Sequence, residues 1–382
     1  MWIFFLALPG TILGLNLFLA WALWKFFAPD RKLQIAAAGT ALAVLGIFAL
    51  SFVGFLLRAH ENPLFAFAWE FLAWALVPMV YLALWAAAGT LAFKFFPAVC
   101  RFKYAFAGAG VALIAAVCIY GFWKFENPEV RYLAWNPEAG EVYEVSAEEA
   151  RKAEPRLRVA ATADWHLGTR IGRERAERFV RLINAQRPDL LVIAGDLIDG
   201  RIEPVEAENL DEVLKKIDAP LGIFANFGNH EYFGDIEKQK AFFRRAGIRL
   251  FIDDAVLVND GMGMKIVFVG RDDASNRSRM PLADLLESLP NAAMEDAFLF
   301  VFDHQPKGAD EAVRAGADFV FSGHTHNGQL WPATWLVGLF NPYVYGHWKE
   351  AGTHGYVTSG LGLWHIPYRI GSCSELVVID IF

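Results

Sequence analysis

The stretch LLVIAGD, residues 190–196, is an apolar run of five residues that ends in Gly195 and Asp196. A short apolar run bounded by a turn residue predicts a buried β-strand, and the carboxylate that follows it then lies at the edge of a sheet. Four further apolar runs after residue 156 also end in polar blocks. These blocks are DWH at 164–166, GNHE at 228–231, DH at 303–304 and GHTH at 323–326.

The apolar runs alternate with amphipathic helical patterns, which predicts an α/β sandwich in the C-terminal part of the chain. In open α/β sheets, ligands collect outside the carboxyl ends of the strands, where all five blocks are expected. Strands are predicted at 157–163, 189–194, 221–227, 265–269, 298–302, 318–322, 355–359 and 375–381. Helices are predicted at 173–186, 207–217, 235–246, 281–288 and 309–315.

The N-terminal third has a different composition and reads as a membrane region. Residues 1–125 hold eight Lys and Arg but only three Asp and Glu. A helix needs about 20 apolar residues to cross a bilayer, so we expect an all-α transmembrane region over 1–125. Its four predicted spans are at about 2–27, 33–57, 70–93 and 104–123.

A polar linker at 126–155 is expected to lead into the α/β domain at 156–382. Two short patterns in this linker, 130–135 and 141–145, are typical of edge strands, and a capping-box pattern at Ser146 predicts a short helix. The short gaps between spans one and two and between spans three and four carry the most Lys and Arg. Positive-inside logic then places both chain termini outside the cytoplasm. We therefore expect an integral protein of a bacterial inner or cell membrane with a periplasmic or extracellular domain.

Charge and cysteine content narrow the functional classes. Residues 126–382 hold 27 Lys and Arg against 39 Asp and Glu, a balance of −12, so we expect no nucleic-acid partner held by a basic surface. An anionic substrate stays open, because bound metals dominate the field of a site. Cys100, Cys118 and Cys373 lack CxxC spacing, which indicates reduced thiols and neither a disulfide framework nor a zinc-thiolate site.

The polar blocks supply the ligand types that two divalent cations need. Asp164 and His166 are two residues apart, and residues at i and i+2 of an extended segment share one face. His324 and His326 have the same spacing. A carboxylate such as that of Asp196 can bridge two ions, whereas an imidazole cannot. Two cations side by side are a known solution for attack on a phosphate ester.

The order DxH, GDxxD, GNHE, a separate His and GHTH resembles that of the calcineurin-like metallophosphoesterase family, over about residues 157–382. The stretch GHTHNGQ at 323–329 is similar to a membrane-associated subgroup related to the bacterial YkuE and YaeI proteins. The four spans also resemble those of transmembrane proteins with a metallophosphoesterase domain. The resemblance implies a four-layer αββα sandwich, the metallophosphoesterase fold.

The resemblance also implies two metal sites. One metal is then held by Asp164, His166, Asp196 and His326, and the second by Asp196, Asn229, His304 and His324. Asp196 bridges the two ions together with a water or hydroxide that attacks phosphorus, and His230 assists the leaving group. Mn, Fe and Zn all suit nitrogen and oxygen sites of this kind, and the sequence does not choose among them.

Other polar residues near the blocks have a structural interpretation. Asp199 is expected to cap or hydrogen-bond its loop, Asp303 to support the site, and Asp272 and Asp273 to lie in a solvated loop. For Glu231, the orienting and the solvated interpretations stay equal. Arg369 either contacts a phosphate or forms a structural ion pair. The aromatic segment 330–348 either meets lipid or an acyl chain, or is buried on its own domain.

We therefore expect a membrane-anchored phosphoesterase with two metals. Its expected substrate is a phosphodiester or pyrophosphate, linked to a lipid or to an envelope component. One alternative is a nucleotide or nucleic-acid phosphodiesterase. Another, from a different class, is a non-catalytic membrane scaffold or sensor that has retained the fold.

Overall fold

The computed structural model describes residues 14–22, 24–25, 31–56 and 62–382. The chain divides into two compact units. The first unit comprises Met1–Phe122 and His365–Pro367, and the second comprises Trp123–Trp364 and Tyr368–Phe382. Most of the first predicted span, 2–27, lies outside the described residues.

The first unit is mainly helical in its described part, apart from the non-helical His365–Pro367. Its helices are α1 (Arg31–Leu56), α2 (Pro63–Phe95) and α3 (Lys103–Glu126), with a 3-10 turn at Pro97–Phe102 before α3. The segments Pro63–Phe95 and Pro97–Glu126 are long and apolar enough to cross a membrane. The expected spans at 70–93 and 104–123 lie inside these helices, and the total of four spans stays a prediction.

The second unit contains two mixed β-sheets. The seven-stranded sheet has the order β2-β1-β13-β3-β4-β5-β6, and the six-stranded sheet has the order β11-β12-β10-β9-β8-β7. The strands of the first sheet are β1 (Glu129–Asn136), β2 (Glu141–Val145), β3 (Leu157–Thr162), β4 (Leu190–Ala194), β5 (Ile223–Asn226), β6 (Ile248–Phe251) and β13 (Glu375–Ile381). Those of the second are β7 (Asp254–Asn259), β8 (Lys265–Gly270), β9 (Ala297–Phe302), β10 (Phe319–Ser322), β11 (Gly346–Glu350) and β12 (Thr353–Val357).

The helices of this unit are short and follow the strands. They are α4 (Ala147–Lys152), α5 (Arg173–Asn184), α6 (Glu203–Ala207), α7 (Leu210–Leu214), α8 (Ile236–Arg245), α9 (Leu282–Glu287), α10 (Asn291–Met294), α11 (Ala309–Arg314) and α12 (Ala333–Leu336). Further 3-10 turns lie at Glu231–Phe233, Pro306–Gly308, His326–Gly328 and Val337–Leu339. The α4 helix begins with both hydrogen bonds of the predicted Ser146–Glu149 capping box.

One apolar core lies between the two sheets and is rich in aromatic rings. Trp135 from the first sheet packs 5.3 Å from the Phe319 ring of the second, and Phe300 stacks on Phe319 at 5.1 Å. A second cluster joins the other face of the second sheet to α9 and α11. Successive side chains of a strand point to opposite faces. Because both faces of the central strands are buried, these strands appear in the sequence as continuous apolar runs.

The expectation of an α/β fold in the C-terminal part is confirmed, and both of its sheets are mixed. The strands β6, β7 and β11 were not predicted, because β6 is short and β7 and β11 are edge strands with exposed polar residues. The helix expected at 207–217 is instead divided into α6 and α7. Asn209, between them, has a φ of 50°, which interrupts helical backbone geometry.

Candidate metal centre

The five polar blocks all lie beyond the carboxyl ends of parallel strands, as their sequence positions predicted. Strands β3, β4 and β5 of the first sheet lead to Asp164, Asp196 and Asn229, and strands β9 and β10 of the second lead to His304 and the 323–326 block. Parallel pairing of β3 with β4 and of β4 with β5 brings the first three ends together. Parallel pairing of β9 with β10 does the same in the second sheet.

Asp164, His166 and His326 form one group of converging side chains. The Nε2 atoms of His166 and His326 are 3.1 Å apart, and His326 Nε2 lies 3.4 Å from Asp164 Oδ1. The three residues are almost completely buried. The backbone N–H of His324 donates to both carboxylate oxygens of Asp164 and thereby fixes its orientation.

A second group forms around His304, whose Nε2 lies 3.2 Å from each of three atoms. These are Asn229 Oδ1, His324 Nδ1 and Asp196 Oδ2. The other ring nitrogen of His304, Nδ1, is 2.9 Å from the Ala194 carbonyl oxygen and donates to it. That bond aims the Nε2 lone pair at the group, the usual arrangement of a metal-binding histidine.

Asp196 stands between the two groups. Its Oδ2 lies 3.2 Å from His304 Nε2 in the second group and 3.8 Å from His166 Nε2 in the first. Its Oδ1 accepts a hydrogen bond from the backbone N–H of His230. One carboxylate therefore faces both sets of ligands, the position expected of a residue that bridges two ions.

These distances suit metal ions. Two pairs of imidazole nitrogens from different histidines converge in buried surroundings, at 3.1 Å for His166 and His326 and 3.2 Å for His304 and His324. Two nitrogens that bind one tetrahedral zinc at roughly 2.0–2.1 Å lie about 3.3 Å from each other. The donor set is made only of nitrogen and oxygen atoms, which fits Mn, Fe or Zn.

The backbone of these ligands differs from the extended geometry expected from the i, i+2 spacing. Asp164, His166, Asp196, His324 and His326 all have φ values between 49° and 70°. The left-handed region is uncommon for residues other than glycine, and such strain concentrates at functional sites. It also sends His324 and His326 to different groups, although they are two residues apart.

Glycines keep the crowded ligands in place. A Cβ atom at Gly228 would lie 2.2 Å from Asp196 Oδ1, and one at Gly195 would lie 2.7 Å from the His304 ring. Gly195 also has a φ of 77°. The glycines that precede Asp196 and Asn229 in the sequence are thus required by the close approach of neighbouring ligands.

The titration of the histidines matches a metal-binding role. Burial, together with the charge of His304, lowers the pKa of His324 to about 4, so this ring is neutral at pH 7. Burial by itself would lower the pKa of His304, but the neighbouring Asp196 carboxylate outweighs burial and holds that pKa well above its ordinary value. A cation at this position would take over the role of the proton on His304.

His230 lies beside both groups without joining either. Its Nε2 is 4.0 Å from Asp196 Oδ2, and its Nδ1 is 2.8 Å from Asp199 Oδ1. Burial would lower the pKa of His230, but the Asp196 and Asp199 carboxylates outweigh it and raise that pKa to about 9. Asp199, expected only to support its loop, thus orients the His230 ring and also lies 3.5 Å from His166 Nδ1.

Glu231 is the residue whose importance the sequence left undecided. Its buried carboxylate accepts the backbone N–H groups of Asp196, Ile198 and Gly228 at 3.1, 2.9 and 2.7 Å. It therefore ties the loop after β4 to the loop after β5. The orienting interpretation holds, and the solvated one is wrong.

Three other expectations can be compared with the structure. Asp303 pairs with Arg279 and not with the ligands, as its supporting role predicted. The solvated loop expected around Asp272 and Asp273 is wrong, because both are fully buried and Asp272 accepts the Tyr232 hydroxyl at 2.6 Å. Arg369 is also buried, and it donates to the carbonyl oxygens of His326 and Gly362. These bonds stabilise the 326–328 turn. Arg369 thus binds backbone carbonyl groups, and neither the expected phosphate contact nor the expected ion pair describes its role.

Comparisons with known proteins agree with this geometry. Residues 157–328 match the family model described as Calcineurin-like phosphoesterase. A Danio rerio protein described as "Transmembrane protein with metallophosphoesterase domain" is 31% identical over 70% of this chain and 60% of its own length. An uncharacterized metallophosphoesterase of Aquifex aeolicus is 29% identical over 63% of this chain and 90% of its own length. The uncharacterized metallophosphoesterase YkuE of Bacillus subtilis is 26% identical over 59% of this chain and 79% of its own length. The chain thus spans less than two thirds of the Danio rerio relative.

We predict that Glu231→Gln loosens the centre. The amide nitrogen of glutamine is a donor and would face backbone N–H groups that also donate, which leaves buried donors unsatisfied at a cost of roughly 1–3 kcal/mol. The midpoint of thermal unfolding should therefore fall, and metal content should fall with it. The matched control is Glu237→Gln on the exposed face of α8. Equal midpoints in the two variants would contradict this role.

We predict that metal binding releases protons, because His304 must lose its proton before its Nε2 can bind a cation. Calorimetric titration of the metal-free protein with Zn²⁺ at pH 7, in buffers of different ionisation enthalpy, should show release of about one proton attributable to His304. Since its folded-state pKa is raised, metal affinity should fall as the pH is lowered. In His304→Asn this release should disappear. Identical release in the two proteins would count against the assignment.

Proposed function

Since residues 157–328 are a calcineurin-like metallophosphoesterase domain, we propose that this chain is a membrane-anchored phosphoesterase with two divalent metals, which hydrolyses a phosphodiester or pyrophosphate at a membrane surface. The match to this family supports the expected class of phosphoric ester hydrolases. The observation that carries the proposal is the carboxylate of Asp196, which lies between two groups of buried nitrogen and oxygen ligands. A single structural ion would not require a second group.

The metals would be held by the residues that converge in the structure. The first group of Asp164, His166 and His326 and the second group of Asn229, His304 and His324 would each share Asp196. When bound, two cations supply charge that stabilises the phosphoryl oxygens and lowers the pKa of an attacking water. The chain itself contributes fixed ligand directions, through the His304 bond to Ala194 and the bonds from His324 N–H to Asp164.

His230 is the group that would assist the leaving oxygen. Its Nδ1–H donates to Asp199, which leaves Nε2 directed toward the centre, 4.0 Å from Asp196 Oδ2. The raised pKa of His230 favours a proton on Nε2 at neutral pH, although bound cations oppose that shift. A proton held at Nε2 can pass to the oxygen that leaves phosphorus.

The topology supports a substrate at the membrane surface. Helix α3 ends at Glu126, and β1 begins three residues later at Glu129. β1 runs parallel to β13, which is antiparallel to β3. The first residue of β1 therefore lies at the sheet edge where β3 ends and Asp164 follows. The chain thus enters the first sheet at the edge that holds the candidate metal centre.

An exposed apolar segment also lies next to the ligands. Trp335, Leu339 and Phe340 follow His326 by nine to fourteen residues, and their exposed fractions are 78%, 73% and 74%. Exposed aromatic and aliphatic side chains near a polar site suit a lipid interface or the acyl chain of a substrate. We propose that they hold a lipid-linked phosphoester against the centre, in a bacterial inner or cell membrane with the domain periplasmic or extracellular.

We predict that the full chain, purified in detergent, binds about two metal ions and hydrolyses bis(p-nitrophenyl) phosphate with Mn, Fe or Zn. Asp196→Asn should reduce both metal content and turnover, because both groups lose a shared ligand. His230→Ala should keep the metals and lose most of kcat. Asp199→Ala should lower kcat about 10–100-fold at constant metal content. Metal content and kcat are measured on the same samples.

Three results would contradict the proposal in different ways. A wild-type chain without bound metal would remove its basis and favour a scaffold or sensor. Loss of metal in His230→Ala would make His230 a ligand and not an acid. Hydrolysis of nucleotide diesters at rates far above those of lipid phosphoesters would favour the nucleotide phosphodiesterase.

We predict that replacing Trp335, Leu339 and Phe340 with Ser separates lipid substrates from soluble ones. The three side chains are exposed, so folding and turnover of bis(p-nitrophenyl) phosphate should stay near wild type. Hydrolysis of phosphoester lipids in vesicles should fall at least about tenfold, since burial of each large side chain contributes roughly 1.5–3 kcal/mol. Replacement of the exposed Met262, at the β7–β8 turn, with Ser is the control. Equal loss on both substrate types would contradict the proposal.

A further inference from the structure

A cavity of about 460 Å³ lies beside the end of the last apolar helix. Three arginines of α5 line it, Arg175, Arg178 and Arg181. The rest of its wall is formed by the polar residues Glu126 and Asn127 and by the apolar residues Phe125, Pro128, Phe179 and Leu182. The spacing of three residues places these arginines along one side of the helix. None of the metal-centre residues lines this cavity.

The arginines are only partly used by the protein. Arg175 donates from Nε and Nη2 to Glu126, and Arg178 donates to the Glu126 carboxylate and carbonyl oxygens. Among the residues that the structure describes, the Arg181 guanidinium has no hydrogen-bond or ion-pair partner, whereas the backbone carbonyl of this residue accepts the N–H of Ala185. A guanidinium carries five N–H donors, so Arg181 and the Nε–H of Arg178 stay available to an anion. The ion pairs with Glu126 position Arg175 and Arg178 beforehand.

The local charge is opposite to that of the rest of the domain. Residues 170–181 contain five arginines and two glutamates, whereas residues 126–382 have a balance of −12. A neighbouring cavity of about 330 Å³ shares Glu126, Arg175 and Arg178 and adds Arg170, Arg173, Glu174 and Glu208, so its lining has four arginines and three glutamates. In an acidic domain, a local cluster of arginine side chains of this kind favours an anionic ligand.

The position of the cavity restricts what that anion is. Its wall begins at Phe125, at the end of the apolar segment Pro97–Glu126. With this helix across a bilayer, the residues at its end lie at the level of the lipid headgroups. Arginine binds phosphate through paired N–H donors, and apolar walls suit the glycerol and first acyl carbons of a lipid.

We propose that this cavity binds the phosphate of an anionic lipid headgroup and holds the domain against the bilayer. The site goes beyond the proposed hydrolysis, because its ligand is bound and not cleaved. Arg178 and Arg181 contact the phosphate, while the partly exposed Pro128 and Leu182 meet the lipid beneath it. Zwitterionic lipids bind less well, because their choline or ethanolamine cation approaches the same arginines.

The test uses the full chain in dodecyl maltoside. Its thermal unfolding midpoint is followed during titration with dioctanoyl phosphatidylglycerol, dioctanoyl phosphatidylcholine or inorganic phosphate. Phosphatidylglycerol should raise the midpoint at lower concentrations than either alternative. In Arg181→Gln, the apparent Kd for phosphatidylglycerol should rise about fivefold, the effect of one arginine near a lipid surface. The control, Arg314→Gln on exposed α11, makes the same charge change and should leave that Kd unchanged.

The outcomes separate this site from the metal centre. Turnover of bis(p-nitrophenyl) phosphate should be the same in Arg181→Gln and wild type. Lipid binding is measured independently of turnover, so it can still be interpreted if the protein shows no enzyme activity. An equal Kd for phosphatidylglycerol in Arg181→Gln and Arg314→Gln would overturn the proposal. So would equal midpoint shifts from phosphatidylcholine, or from inorganic phosphate at the same concentration, the latter because it indicates a site for soluble anions.

Discussion

The arrangement of the candidate metal centre depends on the burial of the Asp196 carboxylate between two groups of nitrogen- and oxygen-bearing side chains. A buried charge is costly unless it is paired or binds a metal. Asp196 is 2% exposed, and His166 and His304 lie within 3.8 Å of its Oδ2. Although burial opposes ionisation, the charges of His304 and His230 hold the pKa of Asp196 well below its ordinary value. Three features keep the histidine side chains close to the Asp196 carboxylate. These are the positions of the strand ends, the left-handed backbone of the converging residues, and the lack of a Cβ atom at Gly195 and Gly228.

The support of the centre comes from residues that do not themselves converge on a metal position. Glu231 joins the loops after β4 and β5 through three backbone N–H groups, and Asp199 holds the His230 ring. Arg369 fixes the turn that begins at His326. Supporting partners of this kind set the direction of a ligand and the protonation of a ring. The rigidity of the site therefore lies in the loops between the two sheets.

The membrane region and the site are related through the first sheet. The strand that follows the last apolar helix begins at the sheet edge that carries the ligands. The exposed Trp335, Leu339 and Phe340 lie on the segment that follows the last ligand, and the arginine cavity begins at the end of the helix. An exposed apolar segment of this kind marks a candidate interaction site, and it is the feature on which the proposed membrane-bound substrate rests.

The sequence alone determined the chemistry and the kind of fold. Apolar runs that end in Asp164, Asp196, His304 and the 323–326 block predicted parallel strands with ligands at one edge, because a run buried on both faces needs no tertiary information to be recognised. Only the tertiary structure brought the two sheets together and assigned His324 and His326 to different groups. The left-handed backbone at His324 and His326 sets the directions of these two side chains. The hydrogen bonds of Glu231 and Asp199 fix the neighbouring loops, and they depend on the tertiary structure because they join segments that are distant in sequence. The edge strands β6 and β7 also needed the structure, because their pairing partners and not their own patterns define them.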